Sequence, residues 1–251
     1  MSERVWERFL TESDRAHLAA SPRYPVGFGA RPALLLIDLY YAVFGDAPQP
    51  LVEAIRDWPS SCGPAAWAAL PHLERLLAAA RAANIPVIHV HQNSCAVPVN
   101  WFEAVHPGRP QSYGDDPAAQ DRWRRRYQII PQLAPREGEA VIQKLGPSAF
   151  WSTPLLGHLV HLGVDTLIVG GESTSGCVRA SVVDGCTNRL RVQVVEECVF
   201  DRHEATHALN LFDMDQKYAD VISLADALAY LEGYQANRAA ARGAPQPALA
   251  R

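Results

Sequence analysis

Six short apolar runs alternating with stretches of helical spacing limit this chain's fold more than any other feature of its sequence. The runs are ALLLID (33–38), PVIHVH (86–91), AVIQK (140–144), DTLIVGG (165–171), RVQVVEE (191–197) and ADVISL (219–224). A continuous apolar run of this length suits a parallel strand buried on both faces. PHLERLLAAARAANI (71–85) reads as a helix leading into the second run, and helical stretches follow near 152–163, 177–189, 203–214 and at DALAYLEGY. Strands alternating with helices predict an α/β fold with a six-stranded, mostly parallel sheet. Right-handed crossovers make it a doubly wound, Rossmann-like, three-layer α/β/α sandwich.

With 251 residues, 48% of them hydrophobic, the chain can bury one large core, so a single domain is expected over 1–232. Residues 3–20 have helical spacing that ends near Ser21-Pro22, so residues 1–25 are expected to form an N-terminal helical arm. The end, 233–251, lacks apolar periodicity and is expected to be a flexible tail. Two connections are long, 42–70 with Trp58 and Trp67, and 92–139 with Trp101 and Trp123. Connections of such length commonly serve as lids or subunit contacts.

Several function classes are excluded early. A net charge of -4 and a pI near 6.1 give no reason to expect nucleic acid or an acidic membrane surface as partner. Nearby acids dilute the run Arg124, Arg125, Arg126, which reads as a solvated face or subunit contact. The start, MSERVWERFL, lacks the apolar core of a secretion signal, and no stretch reaches the roughly 20 apolar residues that span a bilayer. Five cysteines without framework spacing suggest reduced thiols and a cytoplasmic setting, with Cys62, Cys95, Cys186 and Cys198 structural or incidental. DLYYAVFGD follows the first run where a dinucleotide site needs a glycine-rich turn, so no nicotinamide or flavin cofactor is expected.

Ligands of a parallel α/β sheet bind beyond the carboxyl ends of its strands. Asp38 ends the first run, Lys144 ends the third, and Cys177 follows the fourth, so residues far apart in sequence can meet on one rim. In VGGESTSGCVRAS (169–181) an apolar strand runs through small residues into a helix starting near Cys177. There the helix N-terminus, with a lysine nearby, favours the thiolate, and its N–H groups can receive an oxyanion. Asp38 would then take the thiol proton and return it to the leaving amine. The bland alternative, a cysteine as small buried hydrophobe, suits Cys186 and Cys198 better than Cys177.

Three segments carry a resemblance: ALLLIDLYYAVFGD, QKLGPSAFWSTPLLGHLVHLGVDTLIVGGESTSGCVRASVVD and VVEECVFDRHEATHALNLFDMDQKYADV. The chain, from about residue 26 to residue 231, resembles the isochorismatase-like cysteine hydrolases, especially N-carbamoylsarcosine amidohydrolase and its relatives. By that resemblance Asp38, Lys144 and Cys177 fall on the family's catalytic Asp, Lys and Cys. It also implies a cis peptide at Glu172-Ser173 and an oxyanion hole from the N–H groups of Ser173 and Cys177. Glutamate at 172 departs from the small or apolar residues common there, as a substrate contact or a side chain pointing outward. Arg202 matches a position that binds a substrate carboxylate in the carbamoylsarcosine branch. A surface ion pair with Asp201 or Glu204 is the equal alternative. His203 and His207 read as packing or surface residues. His89 and His91 share a strand face, but two histidines fall short of a zinc site and the nicotinamidase Asp-x-His motif is missing, so no catalytic metal is expected.

The resulting expectation is a cysteine-dependent amidohydrolase acting on a small carboxamide or N-carbamoyl compound, forming a homodimer or homotetramer. Two alternatives stand beside it: an isochorismatase-type enol-ether hydrolase, which does not need the thiol, and a non-catalytic thiol sensor, which does not need Asp38 and Lys144.

Overall fold

A computed structural model of the chain describes residues 4–92 and 112–243. Its strands are β1 (Pro32–Ile37), β2 (Val87–Gln92), β3 (Ala140–Lys144), β4 (Thr166–Glu172), β5 (Arg191–Phe200) and β6 (Asp220–Ile222). They form one six-stranded sheet in the order β3-β2-β1-β4-β5-β6, and every pairing is parallel. This is the doubly wound α/β sheet that the run pattern predicts.

The helices among the described residues are α1 (Glu12–Ala20), α2 (Tyr41–Phe44), α3 (Leu51–Asp57), α4 (Pro64–Ala82), α5 (Pro117–Arg125), α6 (Leu155–Leu162), α7 (Arg179–Thr187), α8 (Glu204–Lys217) and α9 (Leu224–Gly243). Because successive side chains of a strand point to opposite faces, β1 serves two cores at once. Leu34 and Leu36 pack with Leu73, Leu76 and Leu77 of α4 and Leu224 and Leu231 of α9. Ala33, Leu35 and Ile37 pack with Leu155 and Leu159 of α6, Val182 of α7 and Leu211 and Met214 of α8. Burial on both faces is why β1 is apolar throughout.

Four expectations are revised. The 42–70 connection is mostly helical, holding α2, α3 and the start of α4. Helix α4 begins seven residues before Pro71, which sits inside it. Proline has no N–H to donate within the helix, a loss offset by burial of Ala66, Ala69 and Leu70 just before it. The N-terminal arm breaks at Thr11, whose side chain and Asp14 form a capping box that starts α1 afresh. The tail expected from 233 is instead helical as far as Gly243, because YQANRAAAR is rich in strong helix formers and no proline follows until Pro245. Of the 92–139 connection, α5 is capped by Asp116, while Cys95 and Trp101 lie outside the described residues.

The arginine run packs against the 42–70 segment. Arg125 pairs with Asp46 at 2.6 Å and lies over the rings of Tyr41 and Trp58, while Arg126 lies over Trp123 and Tyr127. Among the described residues no helix is long and apolar enough to cross a membrane.

The strand order reverses between β1 and β4, so chains leaving these neighbours diverge to opposite faces and open a crevice beyond their carboxyl ends. Gly171, paired with Ile37, lets the two ends approach: at φ 132° a Cβ here would sit 2.1 Å from the Ile37 carbonyl oxygen. Only glycine fits.

Candidate active site

Asp38 is the first residue past β1 and takes φ 56°, a left-handed conformation that aspartate tolerates better than most residues. Its N–H still donates to Val90 O at 2.8 Å, so the chain turns only after the sheet bond is made. Lys144 closes β3 with a side chain that is 0% exposed. Its Nζ lies 2.8 Å from Asp38 Oδ2 and donates to Gly146 O at 3.1 Å and to Cys177 Sγ at 3.3 Å. Beyond β4, Thr174–Val178 form a single π-helical turn leading into α7 and carrying Cys177. The Ser173 carbonyl accepts from Gly176 N and Val178 N, and Ser181 Oγ donates to Cys177 O at 2.7 Å while accepting from Ala149 N. Thr174 Oγ1 and His207 Nδ1 share a further hydrogen bond, 2.8 Å long, that braces the turn. Asp38 and Lys144, from distant parts of the sequence, thus come together beside the one buried sulfur of Cys177.

The electrostatics revise one expectation. Burial pushes the Cys177 thiol well above its usual range and the Asp38 carboxylate pushes it further, with Lys144 opposing. Burial of the sulfur and the neighbouring carboxylate thus work against the thiolate that a helix terminus and a lysine would favour. For Lys144, burial disfavours the charge, but Asp38 and then Cys177 hold the ammonium above its ordinary range. The buried Lys144–Asp38 ion pair therefore stands directly beside the Cys177 sulfur.

The Glu172-Ser173 peptide bond is cis. Glu172 does not point outward: it is 5% exposed, and its Oε1 accepts from Arg202 Nη1 at 2.9 Å and from Cys62 Sγ at 3.7 Å. Arg202 Nη2 donates to the Ser60 carbonyl. The ion pair of Arg202 thus has a partner other than the two expected. Asp201 is taken up by the Ser175 N–H and hydroxyl and by the Arg202 backbone N–H, and Glu204 pairs with Arg8. Burial pushes the Glu172 carboxyl up to about 7, against the pull of Arg202 and with the help of Asp38 and Asp201.

An isochorismatase domain matches residues 32–226, a span containing every residue of this site. The chain belongs to the isochorismatase family. It is 36% identical over 212 residues to maleamate amidohydrolase from Pseudomonas putida, covering 82% of this chain and 89% of that one. It is 33% identical over 215 residues to N-carbamoylsarcosine amidase from an Arthrobacter species, covering 82% and 74%. Of solved structures, an isochorismatase-like hydrolase from Alkaliphilus metalliredigens superposes with TM-score 0.64 at 22% identity, covering 82% of this chain and all of that one. An N-carbamoylsarcosine amidase from Thermoplasma acidophilum gives 0.58 at 22%, covering 77% and 96%. At those identities the structures speak for the fold alone. The isochorismatase-family membership makes the chain a hydrolase, and both relatives matched over 82% of it are named for amide hydrolysis.

Two residues of this isochorismatase-family site escape a reading of the sequence. Tyr40 is buried, edge-on to Tyr127, and its hydroxyl is held above its usual range by burial, Asp38, Glu172 and Cys177. Its place two residues beyond Asp38 was the available signal. Cys62, read as structural or incidental, carries no local signal, because tertiary packing alone brings it to Glu172. Of the strand histidines, His89 Nε2 meets Glu139 Oε2 at 3.0 Å and His91 Nδ1 meets Gln92 O at 3.0 Å. Among the described residues no group of three or more His, Cys, Asp or Glu is placed to hold a metal ion.

Proposed function

We propose that this protein is a cysteine amidohydrolase that cleaves the C–N bond of a small carboxamide or N-carbamoyl (ureido) compound and releases ammonia. The observation that carries the reading is the Lys144 ammonium seated between Asp38 Oδ2 at 2.8 Å and Cys177 Sγ at 3.3 Å. As Cys177 attacks the carbonyl carbon, its thiol proton passes to Asp38, and Lys144 offsets the charge building on sulfur. The backbone N–H groups of Ser173 and Cys177 receive the oxyanion, and Asp38 returns the proton to the departing nitrogen, which leaves as ammonia. Water then attacks the thioester or thiocarbamate, giving its proton through Asp38 to the sulfur. Arg202, paired with Glu172 and lining an open cleft, is the candidate contact for the far end of the substrate. Because deprotonation is coupled to attack, the raised thiol is compatible with catalysis.

The same raised thiol weakens the sensor alternative, since oxidation by peroxide needs an accessible thiolate. A lysine donating to the sulfur weakens the enol-ether alternative, in which the thiol has no task. The proposal also includes a cytoplasmic setting and a homodimer or homotetramer; the four described cysteines are free, and Val160 of α6 is 70% exposed.

The test is ammonia release from a panel containing maleamate, N-carbamoylsarcosine, biuret and nicotinamide. Release from at least one, reduced about a thousandfold or more in Cys177→Ala, is the expected result. No release from any, with reversible oxidation of Cys177, would favour the sensor.

A further inference from the structure

Glu172 and Arg202 have no part in the proton chemistry, yet they border it. Glu172 immediately precedes the cis bond and the turn bearing Cys177, and its charge is felt at Cys177 and Tyr40. Arg202, its side chain 28% exposed, forms one wall of an open cleft of about 420 Å³ lined also by Phe200, Asp201 and His207. An arginine that lines such a cleft and pairs behind it with the residue opening the Cys177 turn is suited to hold a substrate carboxylate through its planar fork. Here the fork is engaged from within: Nη1 by Glu172 Oε1 and Nη2 by the Ser60 carbonyl. An incoming carboxylate would have to displace Glu172, leaving a buried carboxylate without its cation, or sit beside it as a like charge. Both work against an anionic substrate.

We infer that Glu172 is the specificity-determining residue of this site, filling the anion seat of Arg202 with its own carboxylate. Cys177 is thereby presented with an uncharged amide or ureide whose far end offers N–H donors. The inference deepens the cysteine-hydrolase reading and rests on it, and it separates this chain from any enzyme of like architecture that takes a carboxylate-bearing amide.

The experiment measures binding without turnover, by calorimetry on Cys177→Ala protein with and without Glu172→Gln at about pH 8, using biuret and maleamate as probes. With Glu172 present, biuret binds at least about tenfold more tightly than maleamate. Glu172→Gln, close in shape to the protonated side chain, strengthens maleamate binding about tenfold or more and weakens that of biuret. Should the glutamine protein fail to fold, as judged by circular dichroism, Glu172→Ala serves in its place with the same expected gain. Maleamate binding that is tighter than that of biuret in the presence of Glu172, or that does not improve in the variants, overturns the inference; so does failure of both probes to bind. Ammonia release by the Cys177→Ala protein is followed in parallel. If it persists, the nucleophile assignment fails, while the binding preference still decides the role of Glu172.

Discussion

Lys144 carries a positive charge with no exposed surface, and its partners include a carboxylate, a carbonyl and the sulfur of the proposed nucleophile. Taking the lysine away strands Asp38, which is 1% exposed, as a buried charge lacking this cation. Lys144→Met is therefore expected to lower unfolding free energy by about 3–5 kcal/mol in urea melts and to abolish ammonia release even in the fraction that folds. Glu172 gives a second residue-level expectation with a definite sign. Its folded-state pKa, about 7, lies above the 4.5 usual for glutamate, so the stability it contributes is complete below the lower value and is lost as pH rises through the higher. The full effect is about 3 kcal/mol. Glu172→Gln cannot ionise and escapes that loss, so from about pH 5 to pH 8 the variant gains on the wild type by about 2–3 kcal/mol in unfolding free energy. A difference that does not change with pH would show that Glu172 ionises without strain in the folded protein.

At the level of elements, the site depends on how closely β1 and β4 end. Gly171→Ala places a methyl 2.1 Å from the Ile37 carbonyl oxygen at a φ of 132°, and neither strand end can yield without moving Asp38 or the Cys177 turn. The variant is expected to lose about 3 kcal/mol or more, seen as a fall in Tm, together with most activity. The elements also mark how far the sequence was legible. Burial on both faces leaves β1 as a plain apolar run, and the strand-end rule then singles out Asp38, Lys144 and Cys177 without coordinates. The helices between 42 and 70 were not legible, since the start of α4 runs across Pro71, which local rules take as a boundary. The direction of Glu172 was not legible either. At a strand end the side chain follows the turn that comes next, and its partner Arg202 comes from the end of β5, 30 residues on. The upward push on the thiol was not legible for a related reason: desolvation is set by packing from several elements, while a helix terminus is visible locally.

Across the whole molecule, a second ionic centre joins distant parts away from the sulfur. Glu139, just before β3, meets Arg81 of α4 at 2.7 and 2.9 Å, His89 of β2 at 3.0 Å and the Arg136 N–H at 2.9 Å. Burial opposes its ionisation, but Arg81, Arg136 and His89 outweigh that and bring the carboxyl down to about 2. Its contribution is thus present above the usual 4.5 and is lost as pH falls toward about 2, an effect of about 3 kcal/mol. Glu139→Gln should be less stable than wild type near neutrality, with the deficit closing in acid, as chemical unfolding at several pH values will report. Glu139 thus weakens the fold in acid, and Glu172 weakens it as the pH rises toward 7. The central claim for the molecule is that its parallel sheet assembles a covalent catalyst around Cys177. Its most direct test is mass spectrometry of the protein acid-quenched during turnover of an amide that it hydrolyses. The account predicts an acyl or carbamoyl adduct on the Cys177 peptide that decays as substrate is exhausted. Turnover with that peptide unmodified, and undiminished in Cys177→Ala, would contradict it.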